Sequence, residues 1–474
     1  MSKLKLFLEN FLIYGMGGIL QRLIPLLMLP VVTRLMPDTA YFGLSDLSNT
    51  VIQFGSALAV FGMYDAMYRM FFEKESPAFQ KSVCSTTLTF TAGMAVLIAA
   101  LMVLFRRLIA RYFFRDLNYA YLVLIAAASV LSGSMNNIVS APTRMQNRSK
   151  TFLVTNLVGS VISYSIAIFL ILRRHYAIAL PLASLISGLA IQAVFWKLNW
   201  KWFSLKRFDG NLLKELLTLA APLVPNMLIY WIFNSSDRLM ITNLLDIGHA
   251  GLYAIGAKLG HVSQLIYTAF AGGWQYFAFS TMKEEHQAES NSRIFEYLGV
   301  ISFIATFFIC ACSYPVYRIA FPAEYTGGYI VAPYLFLAPL LQMLFQVACN
   351  QFLVIKKTWP NMLILSAGAA LNVALNLILI PRVGIEGAAI ATLLGYAVSV
   401  VICTATLIRI KLMTLSGRFL LAAGTMAAYF FLWRLRLQER TALSFVAAMI
   451  FSAFLLYLYR EELVILKSAF KKSR

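Results

Sequence analysis

Apolar runs of about 20 residues recur from one end of this chain to the other, and that pattern decides what it can fold into. A helix of that length crosses the hydrocarbon core of a bilayer, where a spanning segment must satisfy its own backbone hydrogen bonds. Barrel strands would be shorter and would alternate in polarity, and no such alternation is present. Composition agrees: 60% of the 474 residues are hydrophobic and only 13% are charged, against about 25% charged in soluble domains. The chain reads as an all-α integral membrane protein.

Windows of spanning length give about 14 transmembrane helices. Their cores lie near 11–33, 43–68, 83–105, 117–141, 152–172, 176–196, 216–237, 250–278, 294–320, 329–354, 360–380, 385–408, 418–433 and 441–459. The second and eighth are the least purely apolar. The opening MSKLKLFLENFLIYG has no small-residue cleavage site after its apolar core and reads as the approach to a retained first helix. An even number of spans puts both termini on one side. With that side cytoplasmic, the inside loops hold about twice the Lys and Arg of the outside loops. The loop RRLIARYFFRDLNY, after the third span, is basic against this rule. The net charge of +20 belongs to these loops, so nucleic acid is not an expected partner. The densest inside segment, KLNWKWFSLKRFDGNLLKELL, is amphipathic and expected in the headgroup plane. The five cysteines lie in or beside apolar runs and form no metal or disulfide motif.

A repeat runs through the chain. Asp38 and Gly43 recur 208 positions later as Asp246 and Gly251, and Arg174, Ala183 and Ser184 recur at the same offset as Arg382, Ala391 and Thr392. Each copy holds six spans, so the copies keep one orientation, with the substrate path between them. This divides the chain into an N-lobe over 1–197, an amphipathic cytoplasmic linker over 198–215 and a C-lobe over 216–410. Residues 411–474 add two helices and a basic cytoplasmic tail.

Ionisable side chains at membrane depth cost about 2.5–3.5 kcal/mol each on insertion scales unless they face water or a partner. Asp237, Arg238 and Lys258 lie in or beside apolar spans, and Arg22 lies in the first. Arg22 either faces a lumen or snorkels, and its distance from both ends of the span favours the lumen. With Lys258 it would form a cationic cavity suited to an anionic substrate such as a pyrophosphate. Asp237 and Arg238 are neighbours, so on a helix they point about 100° apart and need not pair. Asp46, Asn49 and Gln53 share one helix face and, with Asp65 nearer the cytoplasmic end, make a polar stripe that lines water or packs on a partner. Asn372 and Asn376, one turn apart, could join Asp237 and Thr392 as oxygen ligands of a monovalent cation; interhelical hydrogen bonding is the alternative. Pro25, Pro30, Pro222 and Pro225 lie near the first and seventh spans, which are equivalent in the repeat. No nucleotide-binding Gly-x4-Gly-Lys loop and no His-Glu-x-x-His is present, so nothing points to an ATP-driven pump.

The stretches LPVVTRLMPDTAYFGLSDL (29–47), SSDRLMITNLLDIGHAGLYAIGAKL (235–259) and PRVGIEGAAIATLLGY (381–396) resemble the polysaccharide transport family. These are flippases of lipid-linked O-antigen, capsule and exopolysaccharide units within the multidrug/oligosaccharidyl-lipid/polysaccharide superfamily. The resemblance implies two six-helix lobes in a V-shaped, MATE-like arrangement with two extra helices. It implies alternating access through a cationic cavity, and an undecaprenyl-pyrophosphate-linked oligosaccharide as substrate. Arg22 and Lys258 occupy places similar to the basic residues that contact the anionic head group in related flippases. The Asp237, Asn372, Asn376 and Thr392 set resembles a sodium site of the related lipid II flippases, with Asn376 where those proteins tend to carry a carboxylate. No cofactor is expected beyond a coupling Na+ or H+. Expected partners are the lipid-linked oligosaccharide, membrane lipids, and assembly proteins such as a polymerase or chain-length regulator. The setting is the bacterial inner membrane. The alternatives of the same fold are a lipid II flippase and a MATE-like multidrug/cation antiporter, and the antiporter would want an acidic cavity. A membrane polymerase or transferase would need larger outer loops than the dozen or so residues available.

Overall fold

The structure, a computed structural model, describes residues 23–267, 270, 274, 286–355, 357 and 359–462. Among these residues the chain is almost entirely helical and contains no strand. Ten helices are long and apolar enough to cross a membrane, and each coincides with an expected span. The described residues of the other four expected spans also carry helices, and two of those spans, 11–33 and 250–278, extend beyond the described residues. The helices are α1 (Leu23–Leu35), α2 (Thr39–Val60) with α3 (Met63–Phe71), α10 (Ile247–Gly260) and α15 (Gly417–Leu432).

The second span is broken. The chain leaves α2 through Phe61 and Gly62, both left-handed at φ 51° and 72°. A Cβ at position 62 would stand 2.7 Å from the carbonyl of Ala220, so the turn is seated on the end of another helix and only glycine fits it.

The chain divides into two compact units. The first runs to Ala254 and takes in Asn376–Ile385; the second holds Ile255–Leu375 and everything from Glu386. In the first unit α4 (Pro77–Leu104), α5 (Ala120–Met145), α6 (Ser149–Leu172) and α7 (Tyr176–Asn199) form a bundle. To it are added α2, α3, α8 (Gly210–Ala220) and α9 (Val224–Leu244). One core joins Met63, Met67 and Phe71 of α3 to Leu212 and Leu216 of α8; another joins Leu44, Leu47 and Val51 of α2 to Val123, Ala126 and Val130 of α5. Helix α10 passes from the first unit to the second, and α13 (Trp359–Val383) re-enters the first with its last turns.

The second unit is built on the 34-residue helix α11 (Gln287–Ala320), packed by α12 (Ala332–Val354) and the final helix α16 (Thr441–Leu458). Buried acids fasten its ends. Glu296 accepts the Ser416 backbone N–H and hydroxyl, both at 2.7 Å, and the Tyr459 hydroxyl at 3.2 Å. Glu386, at the start of α14 (Ile385–Arg409), accepts from Tyr334 at 2.9 Å and pairs with Arg434 at 2.6 Å.

Positions paired by the 208-residue offset make matching contacts inside the first unit. Asp38 accepts the Ala40 N–H at 2.8 Å and caps α2; Asp246, its counterpart, accepts the His249 N–H at 2.8 Å at the start of α10. Burial raises the Asp246 carboxyl, but the hydrogen bonds from His249 outweigh it and hold the group below the ordinary carboxylate range. Gly43 and Gly251 then meet. A Cβ on Gly43 would lie 2.3 Å from the carbonyl oxygen of Ile247, and one on Gly251 would lie 2.1 Å from that of Thr39. Thr39 and Ile247 are themselves separated by the repeat offset, so the contact is reciprocal.

Candidate functional site

Helix α9 carries its polar residues on two faces, and each face meets a different neighbour. On one, Trp231, Ser235 and Arg238 follow at helical spacing and meet the polar stripe of α2. Trp231 donates its indole N–H to the Thr50 carbonyl at 3.3 Å and packs its ring 4.8 Å from that of Phe54. Ser235 donates to Gln53 Oε1 at 3.4 Å. Arg238 pairs through Nε with Asp46 Oδ2 and donates through Nη1 to the carbonyl of Asn234. Only 12% of the Arg238 side chain and 10% of the Asp46 side chain are exposed, so the pair replaces most of the water each charge would otherwise need. The stripe therefore packs on a partner at both ends. Between them Asn49 is half-buried, and Gln53 remains exposed.

The other face of α9 carries Asp237, 1% exposed. Its Oδ2 accepts the Tyr253 hydroxyl at 2.5 Å and its Oδ1 accepts Asn376 Nδ2 at 2.6 Å. The neighbours Asp237 and Arg238 thus serve separate clusters, as their angular separation on a helix dictates. The Arg238 guanidinium also lies 5.8 Å from the centre of the Tyr253 ring, so one tyrosine touches both clusters.

Of the four expected cation ligands, Asp237 and Asn376 meet in the first unit. In the second, Asn372 donates to Thr392 Oγ1 at 3.1 Å. All four are buried. Lys258 is half-buried in the last turn of α10. Asp65 is exposed in the first turn of α3, beyond the break in the second span and apart from the α2–α9 contact. Arg22 lies outside the described residues.

Several partners have no counterpart in the sequence reading. Tyr253 was hidden within an apolar stretch. Arg115, one of four arginines in the loop that is basic against the charge rule, donates to the carbonyl of Asn243 at 2.8 Å, while Asn243 Nδ2 donates to the Tyr112 carbonyl at 3.0 Å. The Asn243 carbonyl lies in the last turn of α9, where the helix dipole favours a cation. The signal was the charge anomaly itself.

Comparison with known proteins adds to this geometry. The family model described as polysaccharide biosynthesis protein matches residues 31–328. No curated protein matches the sequence. Among solved structures, the lipid II flippase MurJ in its inward closed conformation superposes with a TM-score of 0.71 at 17% identity, covering 95% of this chain and 99% of that one. An inward-facing multidrug resistance MATE family transporter of the MOP superfamily follows at 0.61 and 15% identity, covering 87% and 95%. A MOP superfamily transporter from Pyrococcus furiosus, noted for the reverse polarity of its binding pocket, gives 0.56 and 14%, covering 86% and 95%. These likenesses establish the fold.

Proposed function

Because the chain belongs to the polysaccharide biosynthesis protein family, we propose that it is a flippase for a lipid-linked oligosaccharide. It moves an undecaprenyl-pyrophosphate-linked repeat unit from the cytoplasmic to the outer leaflet of a bacterial inner membrane, for surface polysaccharide assembly, with both termini cytoplasmic. The two six-helix repeats alternate access around a watery path, and the polyprenyl tail stays in lipid. Arg22 and Lys258 attract the pyrophosphate. Asn49, Gln53 and Asp65 lie along the sugar's route, and the buried Asp46 shapes it by holding Arg238. Asp237, Asn372, Asn376 and Thr392 respond to a coupling Na+ or H+. A polymerase or chain-length regulator receives the product.

The observation that carries this reading is the exposure of Gln53 beside the buried Asp46–Arg238 pair. An amide at membrane depth is stable in contact with water, not hydrocarbon, so the polar face of α2 calls for a wet cavity. A membrane enzyme would want catalytic groups on its outer loops, whereas this polarity is spent inside the helices. The test is genetic and biochemical. Removal of the protein should strand lipid-linked oligosaccharide in the inner leaflet, and Arg22→Ala or Lys258→Ala should abolish export at normal abundance. Full export by both variants would reject these residues. Unchanged surface polysaccharide with lowered drug tolerance would reject the flippase in favour of a MATE-like antiporter.

A further inference from the structure

Residues 199–210, between α7 and α8, contain two single-turn pieces, Trp200–Trp202 and Leu205–Arg207, on a backbone that is bolted down. Ser204 and Asp209 donate their backbone N–H groups to Ser85 Oγ at 3.0 Å and Thr86 Oγ1 at 3.1 Å on α4. Asn199, 1% exposed, donates to the Val139 carbonyl at 2.8 Å and to Thr143 Oγ1 at 2.7 Å on α5. The Trp202 ring sits 5.4 Å from that of Phe71.

What this fixed segment turns outward is of two kinds. Trp200, Leu205 and Phe208 are 63%, 81% and 44% exposed, and among them stand the exposed cations Lys201, Lys206 and Arg207. None of the three cations takes part in an ion pair among the described residues. Asp209, the one acid of the segment, is committed to capping α8 through the N–H groups of Asn211 and Leu212. A segment joining the ends of two membrane helices, with large apolar groups exposed, lies at headgroup level. There its cations meet whatever charge the headgroups carry.

We propose that this segment is a binding surface for anionic phospholipid headgroups, with Lys201, Lys206 and Arg207 as the selecting cations and Trp200, Leu205 and Phe208 seated among the upper acyl carbons. The proposal holds whichever leaflet the segment faces and goes beyond the transport reading. Because the backbone is held by side chains of α4 and the Asn199 side chain ties the segment to α5, little order remains to be lost on binding. Each basic residue near an anionic surface favours it by about 5-fold, so three set a ceiling of about 100-fold over a zwitterionic lipid.

The experiment uses the full chain in nanodiscs of phosphatidylcholine with phosphatidylglycerol, reading by native mass spectrometry which lipid stays bound. The wild type should retain phosphatidylglycerol preferentially. Lys201→Gln/Lys206→Gln/Arg207→Gln should lower that preference at least about 10-fold. The charge-preserving Lys201→Arg/Lys206→Arg variant should keep it, and circular dichroism should show the wild-type helix content in both. An unchanged preference in the glutamine variant overturns the proposal, as does loss of preference in the arginine variant. Displacement of phosphatidylglycerol by millimolar inorganic phosphate would also overturn it, by reducing the surface to a site for free anions.

Discussion

The reciprocal glycine contact supports a quantitative prediction. Gly251→Ala places a Cβ 2.1 Å from the carbonyl oxygen of Thr39, where ordinary contact begins at 3.4 Å. The opposing atom is backbone, so no side chain can swing aside, and α2 and α10 must part by more than an ångström. Overpacking of this kind costs about 1–3 kcal/mol, and a rigid obstacle puts the cost at the upper end, about 3 kcal/mol. Gly43→Ala should cost about the same through the carbonyl of Ile247. The double variant should lose less than the two together by about 1–3 kcal/mol, since one parting of the helices serves both methyl groups. Gly133→Ala is the control: its Cβ would meet nothing within 4 Å, and alanine there should stabilise α5 by about 0.5–1 kcal/mol. Equilibrium unfolding of the wild type and the four variants in mixed micelles measures the series. If Gly251→Ala is as stable as Gly133→Ala, or if the double variant is strictly additive, the two helices do not meet through these glycines.

The Asp46–Arg238 pair gives a second cycle. Asp46→Leu and Arg238→Leu should each cost about 3–5 kcal/mol by leaving a charge buried without its partner, and the double variant should be more stable than either; independent, additive losses in the same unfolding assay would refute the pairing. For the proposed coupling role, Asp237→Asn should remove the dependence of export on the sodium or proton gradient while leaving the protein folded. Export by the wild type that is indifferent to both gradients would remove Asp237 from the coupling role.

The helices were legible because hydropathy and length decide them, and the repeat because a single offset aligns capping Asp and close-packed Gly residues. The offset placed Gly43 and Gly251 in equivalent positions, but equivalence does not imply touching. That fact depends on how helices distant in sequence pack, which no local pattern encodes. The same limit hid the partner of Asp46. The polar stripe on α2 was readable from spacing, whereas Arg238 is 192 residues away and was visible only as a charge in search of a neighbour. Glu386 and Glu296 were missed for the opposite reason. Each stands near the end of an apolar helix, where an acid reads as an ordinary boundary residue, and burial by Arg434 or by Ser416 and Tyr459 exists only once the later helices have packed.

Helix periodicity also explains why α9 bears a carboxylate and a guanidinium side by side without spending them on each other. A contact between adjacent residues would tie α9 to itself. Turned about 100° apart, they bind it to two different neighbours: Arg238 to Asp46 on α2, and Asp237 to Tyr253 on α10 and Asn376 on α13. A change in charge at Asp237 would therefore act directly on the hold of α9 on α10 and α13. It would reach α2 through Tyr253, whose ring lies against the guanidinium that Asp46 holds. A residue placed this way can answer an ion and shift a helix contact at once, which a surface carboxylate cannot do.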